Sequence, residues 1–173
     1  MSFKKAVLIG TVLCFAASVF AQGNDGKTEV TVKGKKISIV YGKPPLGSHS
    51  VSELPTGGVW RAGMNEATRF QTTGDLDING KTLAAGTYTI WVKRVSDADW
   101  VLAFHPKIQG ANGKNLWGAP PLTDGFIAEL PLKMSTTKDS ADPLAITLSD
   151  AKGKAAINIH WGTAALSGTF GVK

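Results

Sequence analysis

The stretch Val59–Phe70, reading V-W-R-A-G-M-N-E-A-T-R-F, places a Trp, two Arg, an Asn and a Glu around a Gly-containing turn, with strand-like residues on both sides. Arg61 offers a planar fork suited to a carboxylate or phosphate. Asn65 both donates and accepts, and Glu66 can serve as acid or base or as a partner to Arg61. Two readings compete. Either Trp60, Arg61, Asn65 and Glu66 line a ligand site, or Arg61 and Glu66, five apart across Gly63, form a structural ion pair that satisfies a buried turn, with Trp60 as core.

Other chemistry is harder to build from this chain. The histidines are His49, His105 and His160, none at metal-ligand spacing from another. His105 and His160 both fall late in predicted strands and are the weak candidates for a metal pair; no metal and no cofactor is expected. His49 and Glu53 would share a face only on a helix, which Gly47, Ser48 and Pro55 oppose. No Gly-x-Ser-x-Gly elbow is present, and Ser48-His49-Ser50 is adjacent in sequence, unlike a working nucleophile and base. Glu53 and Glu66 are the pair of acids that glycoside hydrolysis would require; the other carboxylates read as turn residues.

The chain has five tryptophans, Trp60, Trp91, Trp100, Trp117 and Trp161. Flat aromatic faces stack on the apolar face of a pyranose, so a sugar platform is one use for them and core packing is the other. Trp91, on the Thr89 and Lys93 side of its strand, and Trp117, in a Gly- and Asn-rich loop, are the two expected to be exposed.

The elements that must position these residues are strands. Hydrophobic period two runs through Thr28–Val32, Ile37–Tyr41, Thr68–Thr72, Leu76–Ile78, Thr87–Arg94 and Trp100–His105. It resumes at Phe126–Leu132, Leu144–Leu148, Ala155–Trp161 and Leu166–Val172. Lys33-Gly34, Asn79-Gly80, Asp124-Gly125 and Lys152-Gly153 supply turns, Asn79-Gly80 being the strongest hairpin signal. No segment sustains a capped helical period. About ten short strands with little helix predict an all-β fold, an antiparallel β-sandwich in preference to a distorted barrel. Two long connections, Gly42–Gly58 and Lys107–Thr123, are of the length that often carries function.

Met1–Ala21 reads as a signal peptide: Lys4 and Lys5, then the apolar Ala6–Phe20, then Val19-Phe20-Ala21 at the cleavage site. It is too short for a stable membrane span. Anchoring as a lipoprotein through Cys14 is disfavoured, because Thr11-Val12-Leu13 lacks the small residue expected beside the cysteine. Cleavage after Ala21 leaves 152 of the 173 residues, one domain from Gln22 to Lys173, and removes the only cysteine. A chain of that length buries about 70% of its unfolded surface, enough for one core without staples. Removing Lys4 and Lys5 from the nineteen Lys and Arg leaves seventeen against thirteen Asp and Glu, a net +4. The lysines are scattered apart from Lys33, Lys35 and Lys36 around Gly34, which reads as a solvated hairpin and not a nucleic-acid patch.

Tyr41-Gly42-Lys43-Pro44, Val59-Trp60-Arg61-Ala62-Gly63-Met64-Asn65-Glu66-Ala67-Thr68, Leu83-Ala84-Ala85-Gly86-Thr87-Tyr88, Trp100 and Trp117-Gly118 together resemble the exported bacterial domain-of-unknown-function family 2911, over roughly Ile37 to Trp161. The resemblance implies an exported β-rich domain and brings no established activity. The chain departs from the family pattern at Leu46-Gly47-Ser48-His49-Ser50, where a Gly-Arg element is expected, and at Pro55-Thr56-Gly57, which lacks a Tyr. A basic ligand-facing loop is weakened accordingly. The leading expectation is a periplasmic or extracellular, non-catalytic domain that binds a small molecule, an oligosaccharide or an envelope protein at Trp60, Arg61, Asn65, Glu66 and Trp117. The alternative is a hydrolase using Glu66 as acid or base, with Arg61 and Asn65 orienting the substrate.

Overall fold

The computed structural model describes residues 25–47 and 49–173. The leader read in Met1–Ala21, with Cys14, and also Ser48 lie outside the described residues. Ten strands follow one another: β1 (Asp25–Val32), β2 (Lys35–Gly42), β3 (Val59–Trp60), β4 (Arg69–Thr72), β5 (Leu76–Ile78), β6 (Lys81–Leu83), β7 (Gly86–Arg94), β8 (Trp100–His105), β9 (Ala128–Ala151) and β10 (Lys154–Val172). Among the described residues the helical content is a single 3-10 turn, Val51–Glu53. None of their helices is long and apolar enough to cross a membrane.

Tight turns with the backbone that Gly and Asn tolerate close the hairpins. Asn79 and Gly80 have φ of 50° and 84°, Lys33 and Gly34 of 50° and 74°, and Lys152 and Gly153 of 55° and 82°. These are the paired positive values of a type I′ turn, whose twist matches that of the strands it joins. The side chain of Asp77 accepts from the Gly80 N–H at 2.8 Å, and that of Asp150 from the Gly153 N–H at 2.7 Å, which fixes two of the three.

The strands join in the order β1-β2-β4-β7-β8-β9-β10-β5-β6, with β3 added beside β7, and every pairing is antiparallel. The sheet folds over on itself without closing into a barrel, so the sandwich expectation holds. The expectation of uniformly short strands does not. The two pairs of segments read near the C-terminus are single strands of 24 and 19 residues, β9 and β10. Extra β9 residues opposite His160–Gly162 and Gly162–Ala164 make bulges that let β9 bend while it keeps pairing with β10.

Because β9 is long, its first part pairs with β8 and its later part crosses toward β1 and β2. There the layers meet through side chains. The Tyr41 hydroxyl accepts from the Ile146 N–H at 2.9 Å, Thr28 Oγ1 accepts from the Leu148 N–H at 3.1 Å, and the Leu144 N–H reaches the Pro44 carbonyl at 3.0 Å. The core lies between the layers. Phe70 of β4 packs edge-on against Phe104 of β8 at 5.2 Å and Phe170 of β10 at 6.1 Å, and all three are buried. Burying a side chain of this size contributes about 1.5–3 kcal/mol.

A smaller apolar cluster sits on the other face of the same sheet. Trp91, Ala67 and Leu116 form it, with Val59, Leu122 and Phe126 packed around. Trp91 is fully buried, not exposed, because the Lys107–Thr123 connection folds back over its face of β7. Its indole N–H donates to Thr89 Oγ1 at 3.0 Å, and that hydroxyl donates to the Lys107 carbonyl at 3.0 Å, tying the start of the connection to the strand beneath it.

Candidate functional site

Residues 61–68 leave β3, make an abrupt turn and enter β4. Ala62 and Asn65 both adopt the left-handed conformation, with φ of 51° and 63°. Asparagine takes this conformation readily, but for Ala62 it costs about 1–2 kcal/mol, so the surroundings must hold it. Several contacts do so. Buried Thr68 donates its hydroxyl to the Ala62 carbonyl at 2.9 Å, and the Met64 N–H reaches the Gly42 carbonyl at 3.3 Å. Gly42 and Gly63 let the turn lie flush on the end of β2: a Cβ on Gly42 would run into the Met64 carbonyl, and one on Gly63 would stand 2.9 Å from Thr68 Oγ1.

The Lys107–Thr123 connection closes over the turn from the other side. The Gly110 N–H bonds the Lys114 carbonyl, the Leu116 N–H bonds the Ile108 carbonyl, and Gln109 bridges Asn115, so this stretch is a small ordered hairpin. It then pairs with the turn through a Glu66–Trp117 bridge, with the Ala67 N–H on the Leu116 carbonyl at 2.8 Å. The Asn65 carbonyl accepts twice, from the Gly118 N–H at 2.9 Å and from Arg61 Nη1 at 3.0 Å. The stem of Arg61 runs across Gly118, where any Cβ would collide with it.

The turn therefore separates two clefts, each of about 360 Å³. The first is polar. Arg69 donates to Asn115 Oδ1 at 2.8 Å, and Asn115 Nδ2 donates to Glu66 at 2.7 Å, so the asparagine amide has one possible orientation between a donor and an acceptor. Asn65, Asp25 and Trp117 share this cleft, and Trp117 is 55% exposed. The second is more apolar. Trp60 and the buried Trp161 stack face to face at 5.5 Å and 10°, beside Val51, Leu54, Pro55 and Met64, with His49, Glu53 and Arg61 also in its wall.

The five residues expected to form one site are thus divided. Asn65, Glu66 and Trp117 stand in the polar cleft and Trp60 and Arg61 in the apolar one. The expected Arg61–Glu66 pair does not form. Arg61 bonds a backbone carbonyl, Glu66 bonds Asn115, and the two are not joined in any ion pair of the described residues. Burial pushes the Arg61 guanidinium below its ordinary pKa. Sequence reasoning did not single out Arg69, Asn115 or Asp25. Arg69 closes the stretch already marked, but Asn115 lies 49 residues from Glu66 and only the fold brings them together.

Nor do the histidines combine. His105 Nδ1 accepts from the Lys107 N–H at 2.9 Å, and its ring meets Phe126 edge-on at 5.6 Å. Its pKa is pushed below the ordinary value, first by burial and then by Lys107, against a smaller opposing pull from Asp124. His160 Nε2 is instead bonded to Thr137 Oγ1 at 2.9 Å. Among the described residues no three His, Cys, Asp or Glu side chains gather as metal ligands. His49 lies 3.4 Å from Glu53, and Ser50 bonds Ser52 instead of a histidine.

No curated protein and no solved structure matches this chain. A family model does, over residues 24–170, and its description is "Protein of unknown function (DUF2911)". That span takes in every strand up to the last residues of β10, both clefts and the turn between them, and the chain belongs to this family.

Proposed function

We propose that this is an exported, non-catalytic binding domain whose polar cleft takes a polyhydroxylated ligand of the oligosaccharide class. One observation carries the reading: the exposed Trp117 stands beside the Arg69–Asn115–Glu66 chain in a single cleft. An exposed indole face gives apolar stacking area, and a fixed row of a guanidinium, an amide and a carboxylate offers the alternating donors and acceptors that sugar hydroxyls need. The leader pattern in Met1–Ala21 supports export, and intact mass of secreted material is then expected to begin at Gln22; a chain retaining Met1 would exclude it.

The experiment is a titration of cello-, malto- and chitotriose into the protein, followed by the indole N–H signals. The Trp117 signal is expected to move saturably with at least one of them. Trp117→Ala should weaken that binding at least about tenfold, or 1.4 kcal/mol. Its thermal stability should stay within about 0.5 kcal/mol of wild type, as for a surface substitution. No saturable shift, or unchanged affinity in Trp117→Ala, would remove the reading. Asp25 shares the cleft with Glu66, so the same samples test hydrolysis. New reducing ends that disappear in Glu66→Gln would replace binding with catalysis.

A further inference from the structure

The apolar cleft on the far side of the turn is lined by a cation with no carboxylate partner and by a tryptophan whose indole N–H has no acceptor among the described residues. All thirteen Asp and Glu belong to the described residues, and none lies in an ion pair with Arg61. One Arg61 nitrogen is occupied by the Asn65 carbonyl, and the stem is held against Gly118, so the guanidinium is positioned without being neutralised. Trp161 lines the same cleft and is only 6% exposed, and its indole N–H is buried with no acceptor among the described residues. The sole other buried side-chain donor left without a partner among the described residues is Nε of Arg94. Trp161 faces one of the β9 bulges, between His160 paired to Ala145 and Gly162 paired to Ala141, where it has no ladder partner.

A buried N–H without an acceptor is costly to leave unmade, and a partly desolvated cation without a carboxylate gains from an anion brought to it. Two such donors in one cleft call for an occupant that brings oxygen acceptors and negative charge. Val51, Leu54, Pro55, Trp60 and Met64 call for an occupant with an apolar body. A volume of about 360 Å³ is at the low end for ligand sites, which run from about 300 to 1,000 Å³, so that body is small. Glu53 also lines the wall, but its side chain is about half exposed and faces His49 at 3.4 Å, where solvent screens it.

We propose that this second cleft binds a small organic acid: Arg61 takes the carboxylate, the stacked Trp60 and Trp161 face the ring or chain, and the Trp161 N–H gains its missing acceptor. The assignment stands apart from the oligosaccharide reading, since the two clefts share only Met64.

The test uses phenylacetate and octanoate as probes, with phenylacetamide as the uncharged isostere of the first, read by the indole N–H signals after Trp161→Phe has identified that of Trp161. At least one of the two acids is expected to shift the Trp161 signal saturably at millimolar concentration, and phenylacetamide to bind at least about tenfold more weakly than phenylacetate wherever phenylacetate binds. Arg61→Gln should weaken the acid by a similar factor, while Trp117→Ala leaves it unchanged. The wild-type comparison of acid with amide needs no variant, so a poorly folding Arg61→Gln would not obscure the answer. Equal binding of acid and amide would overturn the proposal. So would a shift confined to Trp117, or no saturable shift with either acid up to about 20 mM.

Discussion

The two clefts flanking residues 61–66 have nearly the same volume and opposite bookkeeping of hydrogen bonds. On one side Arg69, Asn115 and Glu66 satisfy one another in a row; on the other, among the described residues, Arg61 has no carboxylate partner and the Trp161 N–H no acceptor. A satisfied row is rigid and selects by geometry, because a ligand must share donors and acceptors already aimed. An unsatisfied set selects by charge, because the ligand supplies what the protein lacks. The turn of residues 61–66 thus separates two surfaces that differ in hydrogen-bond satisfaction, and Met64 belongs to both walls.

The most forceful way to break the comparison is Trp91→Ala. Trp91 is fully buried under the connection that delivers Asn115 and Trp117, and its removal should cost about 3–5 kcal/mol of folding stability, measured by denaturant unfolding. In the fraction still folded, the polar cleft should lose its trisaccharide response and the apolar cleft should keep its response to acids. Loss of both together would mean that the clefts are one unit.

A milder lever is pH. His105 holds the Lys107 N–H through a ring nitrogen that accepts only while the ring is unprotonated there, and its lowered pKa means that the unfolded chain binds the proton more readily than the native one. The stabilisation is therefore complete above the ordinary histidine value of 6.5 and is lost as pH falls from there toward the lowered native value. Lys107 opposes protonation and Asp124 favours it, and the balance with burial is downward. Melting followed from about pH 7.5 to 5 should fall more steeply in wild type than in His105→Gln, with exchange of the Lys107 amide rising in parallel. Identical slopes in the two proteins would end this account of the connection.

The smallest expected effect sharpens the division itself. Since Arg61 and Glu66 bond different partners on different sides of the turn, Arg61→Ala and Glu66→Ala should add within about 0.5 kcal/mol in the double mutant. A larger coupling would restore the ion pair that their spacing suggests.

Much of the fold could be read from the chain because alternation and turn chemistry are local. Leu76–Ile78 closes on Lys81–Leu83 through Asn79-Gly80, and the positive φ values there are what that dipeptide tolerates. The length of β9 and β10 could not be read. Thr137–Ser140, Asp142 and Pro143 are a mostly exposed polar tract that looks like a loop, and Gly162 with φ of 60° looks like a stop, yet pairing carries on through the bulges. Trp91 was misplaced for a related reason. Period two distinguishes the faces of a strand but not whether the second face meets water or a folded-back connection. The candidate site was visible as a stretch, Trp60 to Glu66, but its partition was not, because Asp25 and Asn115 reach it from far along the chain.

Where β9 crosses toward β1 and β2, the amides of Ile146 and Leu148 are held by the hydroxyls of Tyr41 and Thr28 and not by a neighbouring backbone. A ladder of backbone bonds opens when its strands part, whereas a hydroxyl can let go as soon as the layers move slightly away from each other. Isotope exchange at these two amides would therefore report breathing between the layers, separately from fraying of any strand pair. The seam is a built-in gauge of whether filling either cleft tightens the whole sandwich or only its own wall.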